Sequence, residues 1–417
     1  MKFDNIIIGG GLSGLMCGIQ LAKTQKKVAI VAAGQSSLHF SSGSFDLLGY
    51  NLEGKEIQHP LQAIDELPNC HPYKKLGSKQ IEELAQEAKE TLKEAGVSVK
   101  GDVHRNHYRI TPMGLFKPTW LTLEDYVTSN SQEEFPYKNV ILSNIAGFLD
   151  FPIDFIKEGL NAIGVNVNVR SIDTKALKYR RKSPSEMRSA NIAKILTQEK
   201  TLLEMAQKLN EGRKDEEEVI LLPAVVGLDS REAIDFLRSK VEGIQILFLP
   251  TLPPSVSGVR VHTQLRKYFT KLGGFYLMGD RVKGGHIENQ ILKYIETDNL
   301  PEERLEAEVY VMATGSFQSN GLKSNFQEVY EPIFHLDVDT EGSRTEWSSP
   351  NVFDKQPFMS FGVTTSEDFI CKKNGQRIEN LHAIGSVLSG HNSILQADGT
   401  GVDILTAMKV AELIRMK

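Results

Sequence analysis

The sequence predicts an α/β protein built on a parallel sheet, with a second α/β region inserted into it. Three observations predict it. The first thirty residues read as strand, glycine loop, helix, strand. Residues 139–172 and 218–249 each read as strand, helix, strand. The last forty residues return to an apolar strand, a run of glycines and an apolar helix. Strands that alternate with helices are the mark of crossover units and parallel pairing.

Phe3-Asp4-Asn5-Ile6-Ile7-Ile8 has the composition of a short buried strand. Gly9-Gly10-Gly11-Leu12-Ser13-Gly14 follows at once and contains GxGxxG as Gly9, Gly11 and Gly14. Apolar Leu12, Leu15, Ile19 and Ala22 then recur at helical spacing, and residues 28–31 form a second buried strand. This context is what the dinucleotide fingerprint requires, and it specifies a Rossmann-like FAD/NAD(P)-binding fold. Gly9 serves the tight turn, Gly11 the approach of a phosphate to the backbone, and Gly14 the packing of helix on strand. The amides of Leu12 and Ser13 open the helix and face the phosphate. An ordinary glycine-rich turn is the competing reading. One element is missing: no Asp or Glu ends the second strand, which runs into Ala32, Ala33, Gly34 and Gln35. An adenosine ribose therefore lacks its usual acceptor. That weakens NAD and conventionally bound FAD, and leaves room for FMN or for FAD held differently.

Residues 78–95 have the periodicity of an amphipathic helix, with Ser78 as N-cap and Gly96 just past the end. Its Glu/Lys-rich face reads as a solvated surface. The expected boundaries are a first segment of the flavin domain at 1–75, an inserted α/β domain at 76–250, and the remaining flavin segments at 251–417. The insert ends on Leu249-Pro250-Thr251-Leu252-Pro253-Pro254-Ser255-Val256, a rigid loop before a helix reaching about Lys271. Ser255 and Ser257 either cap that helix or, with Arg260, bind a substrate anion. The basic run Lys175, Lys178, Arg180, Arg181 and Lys182 is read first as a solvated face. A docking surface and a phosphate site are its alternatives, and Arg188 and Asn191 share them.

The 417 residues suggest two or three domains, enough for a core without disulfides. Lys and Arg number 48 against 53 Asp and Glu, a net charge of −5, without the basic excess of a nucleic-acid binder. The three cysteines, Cys17, Cys70 and Cys371, are far apart, which excludes a CxxC pair and a cluster motif and makes a reducing compartment the default. No apolar run reaches 18 residues. The N-terminal segment is not read as a signal peptide, because Asp4 precedes the apolar stretch and glycines interrupt it. No metal site is expected.

Two later segments carry resemblances. The strand ending in Ala313-Thr314-Gly315 resembles the second signature of flavoproteins with two dinucleotide-binding folds. Residues 378–386, ending in Ala383-Ile384-Gly385-Ser386, with Gly399-Thr400-Gly401 opening a last helix, resemble the C-terminal end of fumarate-reductase-type flavoproteins. There Gly385 and Ser386 would meet the flavin ribityl chain, and the helix amides would face the ring. Ser386 stands where those proteins have Glu, and residues 391–400 hold fewer glycines than their pattern.

The whole chain resembles the B subunits of bacterial anaerobic glycerol-3-phosphate dehydrogenases. The segments that carry this are residues 8–15, Leu38-His39-Phe40-Ser41-Ser42-Gly43-Ser44, residues 249–256, Phe361-Gly362-Val363-Thr364-Thr365 and Ala383-Ile384-Gly385-Ser386-Val387-Leu388. The resemblance implies oxidation of sn-glycerol 3-phosphate to dihydroxyacetone phosphate, with a quinone as eventual acceptor. It implies FMN in this chain, a larger FAD-containing partner, and an iron–sulfur subunit that anchors the pair to the inner face of the cytoplasmic membrane. It places Ser41, Ser42, Gly43 and Ser44 against the flavin, and His39 near the ring edge as a hydrogen-bonding, core or, least expected, covalently linked residue. The catalytic base is left open among His39, His262, His382 and His391, with Arg260 as a further candidate. A non-catalytic relay or structural subunit that keeps the fold to bind partners is the alternative.

Overall fold

In the computed structural model, which describes every residue except 341 and 417, the chain divides into two compact units. The first comprises Met1–Ser37, Asp46–Gly96 and Leu265–Lys417, and the second Leu38–Phe45 and Val97–Gln264.

The first unit is built on a six-stranded sheet. Its order is Phe275–Met278, Val28–Ala32, Lys2–Ile8, Glu306–Met312, Gln376–Ala383, Ile370–Lys373. The first five strands are parallel, and Ile370–Lys373 pairs antiparallel at one edge. Ile6, Ile7, Val28, Ala29 and Ile30 are all wholly buried. Burial on both faces explains why these strands read as continuous apolar runs without alternation. The helix Leu12–Ala22 is buried along its whole length. It lies between the first strands and the helix Gly399–Arg415, so it has no wet face. Lys2–Ile8 sits between Val28–Ala32 and Glu306–Met312, where the chain order reverses. The crevice at the carboxyl ends of these strands is the place such sheets bind ligands.

A hairpin forms between Val282–Glu288 and Ile291–Thr297, turning on Asn289 and Gln290, whose φ angles are +50° and +62°. The helix Ser78–Glu94 forms as expected, but its N-cap is Gly77 at φ +76°, and Ser78 is already the first helical residue. Gly96 closes it at φ +82°. This helix packs on Pro72–Leu76 and Gly399–Arg415 and so belongs to the first unit. The expected boundary at 76 therefore moves to 97. The boundary at 250 moves into the helix Val256–Lys271, and residues 38–45 pass to the second unit.

The second unit contains both predicted crossover units in one parallel sheet, ordered Asn166–Ile172, Asn139–Ile145, Val219–Pro223, Gln245–Leu249. The helices Ile153–Ala162 and Glu232–Lys240 make the crossovers. Two small antiparallel sheets join it. One pairs Ser44–Phe45 and Val99–Lys100 with Leu121–Leu123, and the other pairs Phe116–Thr119 and Thr128–Ser129 with His107–Ile110. Trp120, Tyr126 and Phe248 are among its fully buried side chains.

Candidate functional site

The glycine loop lies at the carboxyl end of Lys2–Ile8. Gly9 has φ +123°, and a Cβ there would stand 2.1 Å from the Ala313 carbonyl oxygen. A Cβ on Gly14 would stand 2.0 Å from the Gly9 carbonyl oxygen. Both glycines are needed for backbone to touch backbone. Gly11 differs: its conformation is extended, φ −81° and ψ −166°, and a Cβ would meet only Ser36 Oγ, at 3.9 Å. The loop is thus tight on its inner side and open at Gly11. No side chain caps the helix that follows. Leu12 is a core residue, so it offers only its amide.

Just past the end of the neighbouring strand Glu306–Met312, Thr314 has a buried hydroxyl that finds no partner among the described residues. Gly315 beside it has φ +77°. Such an orphaned donor next to an open phosphate loop fits a bound flavin nucleotide. Ser13 meets Gly385, where a Cβ would lie 2.6 Å from Ser13 Oγ and 2.4 Å from Asp403 Oδ1. The Ser386 amide and hydroxyl both donate to Asp403 Oδ1, at 2.9 and 3.0 Å. A carboxylate therefore does stand beside Ser386, supplied by the last helix. Burial pushes Asp403 up to about 6, against the hydrogen bonds from Ser386.

The start of the last helix is more occupied than its sequence suggests. Thr400 exchanges two hydrogen bonds with the Asp46 backbone, and the Gly401 amide donates to the Asp46 carbonyl at 2.8 Å. Gly401 is required by Tyr73, whose hydroxyl would lie 2.2 Å from a Cβ there, and Gly399 packs on Ser393. These glycines serve packing, and the Gly401 amide is not available to a ring.

Beneath this helix lies a cluster that sequence reasoning finds only in part. Asp398 is fully buried, with His71 Nε2 at 2.9 Å from Oδ2 and His391 Nδ1 at 3.2 Å from Oδ1. Burial alone would raise Asp398, but the charge and hydrogen bond of His391, then those of His71, hold it well below the usual carboxylate range. Burial alone would lower His391, yet Asp398 and the more distant Asp403 hold it above the usual imidazole range. His71, desolvated, sits below that range. His71 lies 327 residues from Asp398 in sequence, and no local signal pairs them.

The remaining predicted residues belong to the second unit, His382 excepted. His39 Nε2 and His262 Nδ1 are 3.2 Å apart, a histidine pair. Arg260 donates through Nη1 to the carbonyls of Val226 and Gly227, and its Nη2 stands 3.8 Å from Asp125. Ser255 Oγ accepts from the Gly258 amide and caps the helix, and Ser257 bonds the Tyr126 hydroxyl. The anion-binding alternative for Ser255, Ser257 and Arg260 thus meets groups already engaged inside the fold. Ser41 accepts from the Gly43 amide, Ser42 and Ser44 bond each other, and Gly43 at φ +77° faces the Tyr126 ring. His382 is buried in the first unit with Nδ1 3.1 Å from the Asp368 carbonyl. In the basic run, Lys178 and Arg181 pair with Asp173 and Arg180 with Glu186, while Arg188 pairs with Asp150. Such partly exposed pairs match a solvated face.

Among the described residues no group of three or more His, Cys, Asp or Glu could hold a metal ion. No helix among them is long and apolar enough to cross a membrane.

The family described as FAD binding domain matches residues 4–402. The B subunit of anaerobic glycerol-3-phosphate dehydrogenase from Yersinia pseudotuberculosis is 42% identical over 99% of this chain and 98% of its own. The protein of the same name from Pectobacterium atrosepticum is 39% identical over 99% of each chain. Among solved structures, 3-ketosteroid delta1-dehydrogenase from Sterolibacterium denitrificans is 10% identical with a TM-score of 0.46, covering 100% of this chain and 99% of that one.

Proposed function

Because this chain belongs to the FAD binding domain family, and within it to the anaerobic glycerol-3-phosphate dehydrogenase B subunits, we propose that it is the flavin-binding member of such a complex. In this reading it takes part in oxidising sn-glycerol 3-phosphate to dihydroxyacetone phosphate. Electrons leave toward a quinone through a larger FAD-containing partner and an iron–sulfur protein at the inner face of the membrane. The observation that carries the reading is kinship over essentially the full chain length.

Gly9, Gly11 and Gly14 with the amides of Leu12 and Ser13 would hold the flavin phosphate. Thr314 and the Ser386–Asp403 pair would meet its polyol. When bound, the flavin supplies a two-electron hydride acceptor. The family match favours FAD, and that is the cofactor we assign. One observation favours FMN instead: the strand Val28–Ala32 is followed by Ala33, Gly34 and Gln35, with no ribose-binding carboxylate. Acid release followed by chromatography separates the two. A purified chain that stays colourless after incubation with FMN or FAD, oxidised or reduced, would rule out the flavin reading. Turnover of glycerol 3-phosphate with an artificial acceptor, by this chain alone and with its partners, locates the substrate chemistry.

A further inference from the structure

The Asp398 cluster has a defined proton inventory. The Tyr73 amide donates to His71 Nδ1 at 3.1 Å, so that nitrogen carries no proton. His71 Nε2 therefore carries one and donates it to Asp398 Oδ2. Asp398, ionised, turns His391 so that Nδ1–H donates to Oδ1. Its Nε2 has no hydrogen-bond partner among the described residues, although only 5% of the residue is exposed. A histidine oriented by a buried carboxylate, with its far nitrogen uncommitted, is built to take a proton and to be stabilised once it has done so. The carboxylate in turn is fixed by a second, neutral histidine.

We propose that His391 is the proton acceptor of alcohol oxidation in this chain, with Asp398 and His71 as the residues that position it. The inference rests on the dehydrogenase reading above. Oxidising a secondary alcohol breaks its O–H bond, and that proton goes to His391 Nε2. The C–H bond breaks with its electron pair, which leaves as hydride to the oxidised flavin, and the C–O bond becomes C=O. The imidazolium so formed faces the Asp398 carboxylate. The other titratable groups around it are Asp403 on the last helix, His71 and Tyr73 beside Asp398, Asp46 beyond Tyr73, and Cys70, whose backbone backs Gly390. The acidic groups among them favour the protonated ring, so His391 loses its proton only above the ordinary imidazole value of 6.5.

The test uses the assembled complex, with glycerol 3-phosphate and an artificial acceptor, across pH 5.5–9.5. In the wild type, kcat/KM is expected to fall on an acid limb lying above pH 6.5, because the protonated ring cannot accept. His391→Gln is expected to lower kcat about 10²- to 10⁴-fold, to abolish that limb, and to be partly restored by added imidazole. His71→Gln leaves the reacting ring in place and is expected to move the limb while flavin content is unchanged. Ring-nitrogen NMR of the flavin-free chain gives a readout apart from turnover: His391 should be protonated on Nδ1 and titrate above 6.5, with His71 neutral throughout. An unaltered profile in His391→Gln, or a His391 that titrates below 6.5, overturns the inference. A wild-type complex that does not turn over glycerol 3-phosphate overturns the dehydrogenase reading itself.

Discussion

Gly11 and Gly14 stand three residues apart in one loop, yet alanine at each should have opposite consequences. At Gly14 the new Cβ would lie 2.0 Å from the Gly9 carbonyl oxygen, where ordinary contact begins at 3.4 Å, so helix and loop must part by 1.4 Å. The obstacle is backbone and cannot rotate away. Alanine gains about 1 kcal/mol of helix propensity, but overpacking costs typically 1–3 kcal/mol and more when backbone has to move. We expect a net loss of about 1–2 kcal/mol, or roughly 2–8 °C in the melting temperature of the flavin-free chain. At Gly11 the backbone is already in a region open to any residue, and the nearest atom to a Cβ is 3.9 Å away. Gly11→Ala should leave that melting temperature unchanged or raise it through about 0.4–1 kcal/mol of reduced unfolded-state entropy. A methyl there occupies the space a phosphate needs, and should weaken flavin binding by at least tenfold, about 1.4 kcal/mol. Calorimetry of the flavin-free variants and fluorescence titration with flavin separate the two effects. If Gly11→Ala folds normally and binds flavin with wild-type affinity, the loop does not hold the phosphate.

Other expectations follow from the same contacts. Asp125 is buried against Arg231 at 3.0 Å and Arg238 at 2.8 Å, so Asp125→Asn should cost about 3 kcal/mol, the low end for a broken buried pair because both arginines are partly exposed. Urea unfolding of the second unit reads it. Asp403 has its folded value raised from 3.8 to about 6, so its neutral form favours folding at low pH. That contribution is lost as pH rises through about 6. Asp403→Asn should therefore flatten thermal stability between pH 4 and 6, and an unchanged slope would mean Asp403 is ionised throughout. Gly43→Ala, at φ +77° with a Cβ 2.8 Å from the Tyr126 ring, should destabilise by about 1–2 kcal/mol or more, measured as a lower melting temperature.

What is legible ahead of the structure is whatever is encoded locally. Gly9, Gly11 and Gly14 announce a phosphate loop because the turn, the opening and the packing contact fall within six residues. The crossover units at 139–249 are legible because each strand is a short apolar run bounded by turn signals. Serine suits a helix cap, which favours Ser78, but Gly77 before it can adopt positive φ and takes the position instead. The two- to four-residue strands such as Ser44–Phe45 and Val99–Lys100 are too short to show a period. His71 carries no signal, since its role depends on Asp398 arriving from the far end of the chain. The missing Glu at Ser386 reads as a lost contact, whereas Asp403, seventeen residues on, brings a carboxylate to the same place.

The pairing of Lys2–Ile8 with Glu306–Met312 also has a consequence for how the protein is made. Lys2–Ile8 leaves the ribosome with its central neighbour encoded roughly 300 residues later, a delay of about 15–60 s at ~5–20 residues per second. Throughout that interval Ile6, Ile7 and Ile8 have one edge unpaired, and the last helix that covers Leu12–Ala22 does not yet exist. The inserted unit, whose parallel sheet is complete by Leu249, can be finished first. Birth order and sequence order are therefore reversed in this molecule, and the nascent N-terminal pair of strand and helix is where a chaperone would be needed.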